Sequence, residues 1–322
     1  MVTILIYRDG KTTRAETVDP AWLDEGSGVT LWVDIAAPTP EESRLLADTF
    51  EFHELAIEDA LAEVHHPKLE AYDGYLYVIL HGIDFKASQH EFATHDADFF
   101  AGPNYLVTVT DGTSRSIPEM QALCERNSRT MGEGPMALMH RIVDTMVDHY
   151  RPEVDKLEER IDQLEETVFE AGDSRATNQE ILELKRDVAS LRRIILPQRD
   201  VLGRLGRREF AQISEEIAYR FRDVYDHVVR ISDDALLYHD RLSAILEAHL
   251  SNVSNRLNEV MKFLTIFSVI FMPMTVLTGM YGMNVPLVRF PGGEHAQFWW
   301  ILSIMATTSG VLIWFFRRKR WL

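Results

Sequence analysis

The sequence is poor in cysteine, because Cys124 is the single cysteine among 322 residues. A lone cysteine excludes an intrachain disulfide and every zinc site that is built from several cysteines. The usual role of such a residue is that of a small buried apolar side chain, and we expect this of Cys124.

Positive charge is also scarce, since 33 Lys and Arg residues face 50 Asp and Glu residues and the formal net charge is −17. A nucleic-acid partner is therefore not expected, because phosphate backbones are bound by basic surfaces. A cationic ligand stays compatible with this charge.

The sequence lacks the common motifs of catalysis. It contains no Gly-rich phosphate loop, no nucleophile elbow and no HExxH pair, and its histidines are scattered. We therefore predict that the protein is not an enzyme. A membrane-anchored signalling coiled coil is the other rival class, and it would carry no ion flux.

Charged residues are missing altogether from two long stretches, 263–288 and 296–316. Each stretch exceeds the roughly 20 residues that cross a bilayer as a helix. The alternative is a pair of buried helices in a soluble core. Two such stretches joined by a short segment favour two membrane spans.

Basic residues next to these stretches predict their orientation. The run Arg317–Arg320 follows the second stretch, and Arg256 and Lys262 precede the first, whereas the connection between them has Arg289 against Glu294. The positive-inside rule then places both chain ends in the cytoplasm. The N-terminal segment "MVTILIYRDGK" lacks the basic region and the long apolar region of a signal peptide, so we expect it to stay in the cytosol.

The chain before the apolar stretches changes character near residue 115. Segments rich in β-branched and aromatic residues predict strands at 2–7, 29–35, 75–85 and 99–110, with short helices at 39–50 and 53–63 between them. After them, apolar residues recur at helical spacing in 135–170 and in 178–205, around an acidic strip at 153–173. The simplest structural explanation of that strip is a solvated helix face with no role in binding.

No Gly or Pro interrupts the sequence from Ser214 to Pro273, so one helix of about 100 Å is predicted to run from cytosol into membrane. Such a rod needs copies of itself to pack against. The predicted parts are an α/β domain (1–115), an antiparallel hairpin of long helices with an acidic tip (116–213), a stalk helix that becomes the first transmembrane helix (214–284, in the membrane at about 262–282), an external loop (285–296), a second transmembrane helix (297–316) and a basic cytosolic tail (317–322).

One face of the stalk helix has an unusual composition for a surface in lipid. Its residues, which also include Leu250 and Ser254, are spaced by three or four and mix a carboxylate, an amide, hydroxyls, a glycine and methionines. Packing of small residues between helices is the alternative explanation, but it accounts poorly for the carboxylate and the amide. We interpret this face as pore-lining and call it the mixed stripe: Glu247, Asn258, Met261, Leu264, Ser268, Met272, Thr275 and Gly279.

The stripe ends at "TGMYGMN" (278–284), where Asn284 offers neutral oxygen acceptors at the predicted outer mouth. Mg²⁺ gives up its water shell reluctantly, and neutral oxygens accept hydrogen bonds from those waters without removing them. Asn284 is therefore the predicted selectivity site for a hydrated divalent cation, and Gly282 gives the backbone the freedom to end the helix there.

At these residues the chain resembles the CorA family of divalent-cation channels. The resemblance rests on "YGMN" (281–284), "YRFRDVYDH" (219–227), the helix 251–284 and "RRKRWL" (317–322), and covers essentially the whole chain. It implies an α+β cytosolic domain followed by a long-helix funnel and two transmembrane helices, assembled as a homopentameric channel in the bacterial inner membrane. It also matches Gly282, Met283 and Asn284 to the selectivity filter at the outer mouth of such a channel.

The resemblance also implies a regulatory metal site. It matches Asp59 and Asp223 to carboxylates that hold Mg²⁺ between neighbouring subunits, with Glu58 and Asp226 as secondary candidates. Bound cytosolic Mg²⁺ would keep the subunits together, and its loss would let the carboxylates repel each other.

The expected function is transport of Mg²⁺, and also of Co²⁺ and Ni²⁺. The expected partners are further copies of the chain, the bilayer and divalent cations, and Mg²⁺ is the expected regulatory ion. The alternative is a ZntB-like Zn²⁺ transporter, which includes the option of coupling transport to protons. The evidence for it is the loop 285–299, which lacks the acidic stretch common in magnesium members and carries His295.

Overall fold

The computed structural model describes residues 1–62, 66–86, 91–169, 174–283, 291 and 293–321. The chain divides into two compact units, Met1–Leu246 and Glu247–Leu322. We call them the N-terminal unit and the C-terminal unit.

Seven strands of the described chain form one mixed sheet in the N-terminal unit, in the order β2-β1-β3-β7-β6-β5-β4. Neighbours pair antiparallel except β3 and β7, which are parallel. The strands are β1 (Val2–Arg8), β2 (Lys11–Ala15), β3 (Thr30–Ala36), β4 (Lys68–Tyr72), β5 (Tyr75–Lys86), β6 (Glu91–Ala101) and β7 (Tyr105–Thr110).

The segment 99–110, predicted as a strand, is divided by a turn between β6 and β7. Gly102 donates its N–H to the carbonyl of Tyr105 at 2.9 Å, and a Cβ at Gly102 would lie 2.3 Å from the Tyr105 ring. Asn104 holds the turn, since its Nδ2 donates to the carbonyl of Trp22 at 2.7 Å. The sequence Gly102-Pro103-Asn104 favours a turn here, because Pro103 has no N–H to donate to a neighbouring strand.

Both faces of the sheet are covered by helices, so side chains alternate between two cores. Phe100 and Val107 belong to the core under α1 (Arg44–Asp48) and α2 (Glu54–Leu61). Phe99 and Leu106 belong to the larger core that contains the apolar faces of the later helices. Those helices are α3 (Ser116–Arg126), α4 (Arg129–Gly132), α5 (Pro135–Asp148), α6 (Tyr150–Phe169), α7 (Ser174–Gly206) and α8 (Glu215–Tyr281).

The first long amphipathic segment, 135–170, forms two helices, α5 and α6, which meet at His149. Pro152 falls in the first turn of α6, where its missing N–H leaves no helix hydrogen bond unmade. Downstream, α6 packs against α7 through fully buried apolar residues such as Ile161 and Leu184.

The acidic strip is partly neutralised by one arginine of α6 itself and one of α8. Arg241 contacts the carboxylates of Asp162 at 2.6 Å and Glu165 at 2.7 Å, and Arg151 contacts Asp155 at 2.7 Å. The strip is interpreted from the sequence as a solvated helix face, and these exposed carboxylates fit that interpretation while also forming ion pairs. Positions 170–173 lie outside the described residues.

The C-terminal unit contains the end of α8 and the helix α9 (Glu294–Arg318). Each has an 18-residue window of high mean hydropathy, 2.0 in α8 and 1.6 in α9, of which only 6% and 0% is buried. A core helix of a soluble protein would be mostly buried, so these two helices are candidates for membrane spans. Their threonine hydroxyls are satisfied inside each helix, as with Thr307, which donates to the carbonyl of Ser303 at 2.8 Å.

Candidate ion pathway and metal sites

The membrane portion of α8 has two faces that differ in exposure. Ile266 is buried, and Ile270, Leu277 and Tyr281 are half-buried, at the spacing of one helix side. The mixed stripe lies on the opposite side of α8, and all eight of its residues are exposed. The side with the amide, the hydroxyls and the glycine is therefore the side that the chain itself leaves uncovered.

The hydroxyls near the stripe are oriented by the helix backbone. Thr275 donates its hydroxyl hydrogen to the carbonyl of Phe271 at 3.0 Å, and the neighbouring Thr265 donates to Met261 at 2.7 Å. Because each hydrogen is used inside the helix, the oxygen lone pairs remain to accept hydrogen bonds. An acceptor surface of this kind suits the water shell of a cation.

The helix ends in a tight turn at the predicted filter. Gly282 donates its N–H to the carbonyl of Thr278 at 2.9 Å, and Met283 donates to Met280 at 3.2 Å. A Cβ at Gly282 would lie 2.9 Å from the Thr278 carbonyl oxygen, so glycine is required there by the helix itself. Asn284 and the loop residues 285–290 lie outside the described residues.

Asp59, a predicted regulatory ligand, is already paired within the chain. It lies on α2, and its carboxylate contacts the ammonium of Lys68, which also contacts Glu70 at 3.2 Å. Burial lowers the pKa of Lys68, but Asp59 and Glu70 outweigh this and the net shift is upward. Lys68 is therefore an internal counter-cation that a metal at Asp59 has to displace.

The other predicted ligands are exposed. Glu58 lies on α2, and Asp223 and Asp226 lie on α8. Among the described residues no hydrogen bond or ion pair joins Asp59 to Asp223, so the single chain does not bring the two predicted partners together.

Three further residues form a group that sequence reasoning missed. Asp144 and Asp148 of α5 and His227 of α8 bring one ligand atom each within 4.8 Å of one another. The two carboxylates are one helical turn apart, and His227 belongs to the "FRDVYDH" segment that also holds Asp223. The sequence shows that Asp144 and Asp148 are four residues apart and so share one helix face. It contains no signal that brings this face against the part of α8 that holds His227.

The electrostatics of this triad favour a cation. Burial raises the pKa of Asp144, and the nearby carboxylates of Asp148 and Asp223 raise it further against the opposing effect of His140 and His227. Two carboxylates and an imidazole are ligands for Co²⁺, Ni²⁺ or Zn²⁺, whereas Mg²⁺ prefers oxygen ligands alone. A divalent ion would offset the repulsion between the carboxylates of Asp144 and Asp148, which adds to the larger effect of burial on the pKa of Asp144.

An α/β unit, two apolar helices with an uncovered polar face, and carboxylates placed for cations define the class of membrane transporters for metal ions. Residues 27–318 match the model of a family described as CorA-like Mg²⁺ transporter protein. The chain belongs to this family, which is one of transporters of divalent metal ions and not of enzymes. The resemblance predicted from the sequence is confirmed.

Relatives and solved structures agree along almost the whole chain. YfjQ of Bacillus subtilis is 33% identical over 94% of this chain and 91% of its own length. The cobalt/magnesium transport protein CorA of Thermotoga maritima is 30% identical over 98% of this chain and 89% of its own length. The structure of the CorA magnesium transporter of Methanocaldococcus jannaschii superimposes with a TM-score of 0.85 at 20% identity, covering 100% of this chain and 99% of that one, which confirms the predicted fold class.

Proposed function

We propose that the protein transports hydrated divalent cations, most readily Mg²⁺ and also Co²⁺ and Ni²⁺, through a pore formed by five copies of α8. The observation that carries this proposal is that the mixed stripe lies on the side of α8 opposite its buried and half-buried residues. The name of the Thermotoga maritima relative, a cobalt/magnesium transport protein, supports the choice of ions.

In this proposal the stripe residues form successive rings around an axis. Rings of Asn258 and Thr275 accept hydrogen bonds from the water of the ion, and rings of Leu264 and Met272 form an apolar neck that closes by loss of water. Glu247 attracts cations at the cytoplasmic entrance, and Gly282, Met283 and Asn284 select the hydrated ion at the outer mouth. The membrane would be the bacterial inner membrane, with both termini in the cytoplasm.

Regulation follows from carboxylates in the N-terminal unit. Cytosolic Mg²⁺ would bridge Asp59 of one subunit and Asp223 of its neighbour, with help from Glu58 and Asp226, and hold the pore closed. The triad Asp144, Asp148 and His227 lies beside Asp223, but its imidazole suits Co²⁺, Ni²⁺ or Zn²⁺ better than Mg²⁺, so we do not assign it to the Mg²⁺ site. Five chains with a formal charge of −17 each repel one another strongly without such ions.

A ZntB-like Zn²⁺ transporter is the second candidate, and the presence of His227 in the triad favours it. Imidazole is an ordinary ligand for Zn²⁺ and a poor one for Mg²⁺. Proton coupling would belong to this candidate, because proton and metal compete for the same imidazole and carboxylates.

The test is ion flux into liposomes that contain the full-length protein, with Mg²⁺, Co²⁺ and Zn²⁺ in turn and with or without a pH gradient. We expect uptake of Mg²⁺ and Co²⁺ that does not need the gradient and is lost with Asn284→Ala. Uptake of Zn²⁺ that depends on the gradient would select the second candidate, and no uptake of any ion would end both.

The regulatory part is tested separately by Mg²⁺-dependent protection from proteolysis. We expect Asp59→Ala and Asp223→Ala each to weaken the protection, while exposed Asp73→Ala, which lies in neither proposed site, leaves it unchanged. Full protection in both regulatory variants would remove the assignment of these residues and leave the pore proposal intact.

A further inference from the structure

An open cavity of about 920 Å³ lies in the N-terminal unit, beside the end of α2. Its walls come from α2 and the residue after it at 60–62, from the segment between β3 and α1, and from the region of β6 and β7. β3 and β7 are the parallel pair of the sheet, and the carboxyl ends of parallel strands are a common place for ligands. Three carboxylates lie in the lining, those of Asp96, Asp98 and Asp111, and we therefore call the cavity the acidic cleft.

The three carboxylates are spread over the sheet and do not converge on one point. Asp96 and Asp98 are two residues apart on β6, which places them about 7 Å apart on one face. β6 and β7 pair with Asp98 opposite Val109, and the same register brings Asp96 opposite Asp111, just after β7. The described chain holds one group of three ligand atoms within 4.8 Å of one another, the triad on α5 and α8, and these carboxylates are not part of it. The acidic cleft therefore suits separated positive charges better than a single metal ion.

Asp98 is a deeply buried acceptor in the wall of the cleft. The residue is 2% exposed, and one of its oxygens accepts the hydroxyl hydrogen of Tyr77 at 2.6 Å, whereas the other accepts no hydrogen bond within the described chain. Burial raises the pKa of Asp98 to about 7, and the hydrogen bond from Tyr77 and the charge of Lys68 only partly oppose this. Lys68 itself contacts Asp59 and Glu70. A buried carboxylate of this kind is stabilised by a cation that donates to its second oxygen.

The rest of the cleft provides apolar surface and no positive charge. Two histidines outside the lining contact its carboxylates, since Asp96 lies 2.5 Å from Nδ1 of His81 and Asp111 lies 3.6 Å from Nδ1 of His95. The lining that the structure describes contains no Lys, Arg or His, and more than half of its residues are alanine, proline, leucine or valine. Separated carboxylates with apolar surface between them match a cation that carries hydrocarbon between its charges.

We propose that the acidic cleft binds an aliphatic polyamine. Its ammonium groups would donate hydrogen bonds to Asp96, Asp98 and Asp111, and its methylene segments would lie against the apolar wall. A short methylene chain between two ammonium groups spans about the distance that separates neighbouring carboxylates on the strand. No residue of the proposed pore or of the proposed Mg²⁺ site belongs to the lining, so this inference is independent of the proposed function.

The experiment is isothermal titration calorimetry on the full-length protein in detergent, without Mg²⁺, with spermidine, putrescine and butylamine as probes. We expect one spermidine to bind per chain. Putrescine should bind about tenfold more tightly than butylamine, because it has the same carbon chain and a second ammonium group that makes a charge-assisted hydrogen bond.

Three variants test whether the lining carboxylates hold the ligand. Asp96→Asn and Asp98→Asn should each weaken spermidine binding about tenfold. Asp98→Asn is informative because removing a buried ionised carboxyl stabilises the fold above neutral pH, so a loss of binding in this variant does not come from unfolding. Asp48→Asn is the matched control, since Asp48 is an exposed carboxylate of α1 outside the lining, and it should change binding less than twofold.

Several results would overturn the proposal. Equal affinity for putrescine and butylamine would show that the separated charges are not recognised. Unchanged spermidine binding in both lining variants, or an equal loss with Asp48→Asn, would place the binding elsewhere or reduce it to the net charge of the protein. Displacement of spermidine by millimolar Mg²⁺, with Mg²⁺ binding itself lost in Asp96→Asn, would identify the ligand as a hydrated metal ion.

Discussion

The two units of the chain differ in how much of their large apolar side chains is exposed. In the N-terminal unit, Trp32 and Phe99 are 1% and 0% exposed. In the C-terminal unit, Phe267 and Met272 are 52% and 70% exposed, and beyond Leu250 only Ile266 and Phe316 are buried among the described residues. The first unit completes its core from its own sequence, whereas the second needs surroundings that the single chain does not provide.

This difference determines what a substitution changes in each unit. In the N-terminal unit, contacts within the chain fix the buried side chains, so removing such a side chain lowers the stability of the fold. In the C-terminal unit, the exposed side chains have no such contacts within the described chain. In the proposed pore they would face lipid, other copies or permeating ions, so we expect their removal to change transport more than stability.

The largest expected effect is on the stability of the N-terminal unit. Phe99→Ala removes a fully buried ring and should lower the free energy of unfolding by about 3–5 kcal/mol. Phe271→Ala, at a position 49% exposed on α8, is the control and should cost far less. Thermal unfolding of the full-length protein in detergent measures both, and equal losses would contradict the contrast between the units.

The next effect concerns a buried carboxyl of the sheet. Burial raises the pKa of Asp98 to about 7, against a hydrogen bond from Tyr77 at 2.6 Å that lowers it. The folded state therefore binds the proton more tightly than the unfolded state, and stability falls as pH rises from about 4 to 7. Asp98→Asn should add roughly 2–4 kcal/mol at pH 8 and almost nothing at pH 4.

Thermal unfolding at the two pH values checks this prediction. Asp73→Asn, in an exposed turn, is the control and should shift neither midpoint. A gain from Asp98→Asn that is the same at pH 4 and pH 8 would show that ionisation of this carboxyl is not its cause.

A smaller effect is expected where the N-terminal unit is proposed to bind Mg²⁺. Lys68→Met removes the cation that competes for Asp59, so half-maximal protection from proteolysis should need about two- to fivefold less Mg²⁺, as for a partly exposed ion pair. Lys68→Arg keeps the charge and is the control. A higher Mg²⁺ requirement in Lys68→Met would show that Lys68 assists the site instead of competing for it.

The smallest effect compares two threonines of the C-terminal unit. Thr275→Val should reduce ion flux about twofold, because a stripe acceptor worth roughly 0.5 kcal/mol is removed. Thr278→Val is the matched control, since Thr278 also donates to its own helix, at 3.0 Å to Met274, but lies off the stripe. Equal effects of the two variants on flux would argue against the stripe as the ion pathway.

Much of the fold could be predicted because its signals are local. The sequence from 214 onward contains no breaker before Pro273, and the structure forms one helix, Glu215–Tyr281, which continues through that proline. Proline is tolerated there as it is in other membrane helices. The predicted strands at 2–7, 29–35 and 75–85 are present as β1, β3 and β5.

The misses have physical reasons. The edge strands β2 and β4 were not predicted because they are short and polar. Each is hydrogen-bonded to a single neighbouring strand and depends on that strand for its stability. The triad of Asp144, Asp148 and His227 depends on how α5 packs on α8, which no local pattern encodes. The pore role of the stripe depends on other copies of the chain, so it stays a prediction.

The uninterrupted length of α8 has a mechanical consequence. Its 67 residues make a lever of about 100 Å. One continuous helix therefore joins the exposed carboxylate of Asp223 near its start to the mixed stripe near its end. In the proposed pore, a change in attraction among such carboxylates would act on the passage along this one helix, with no linker between them.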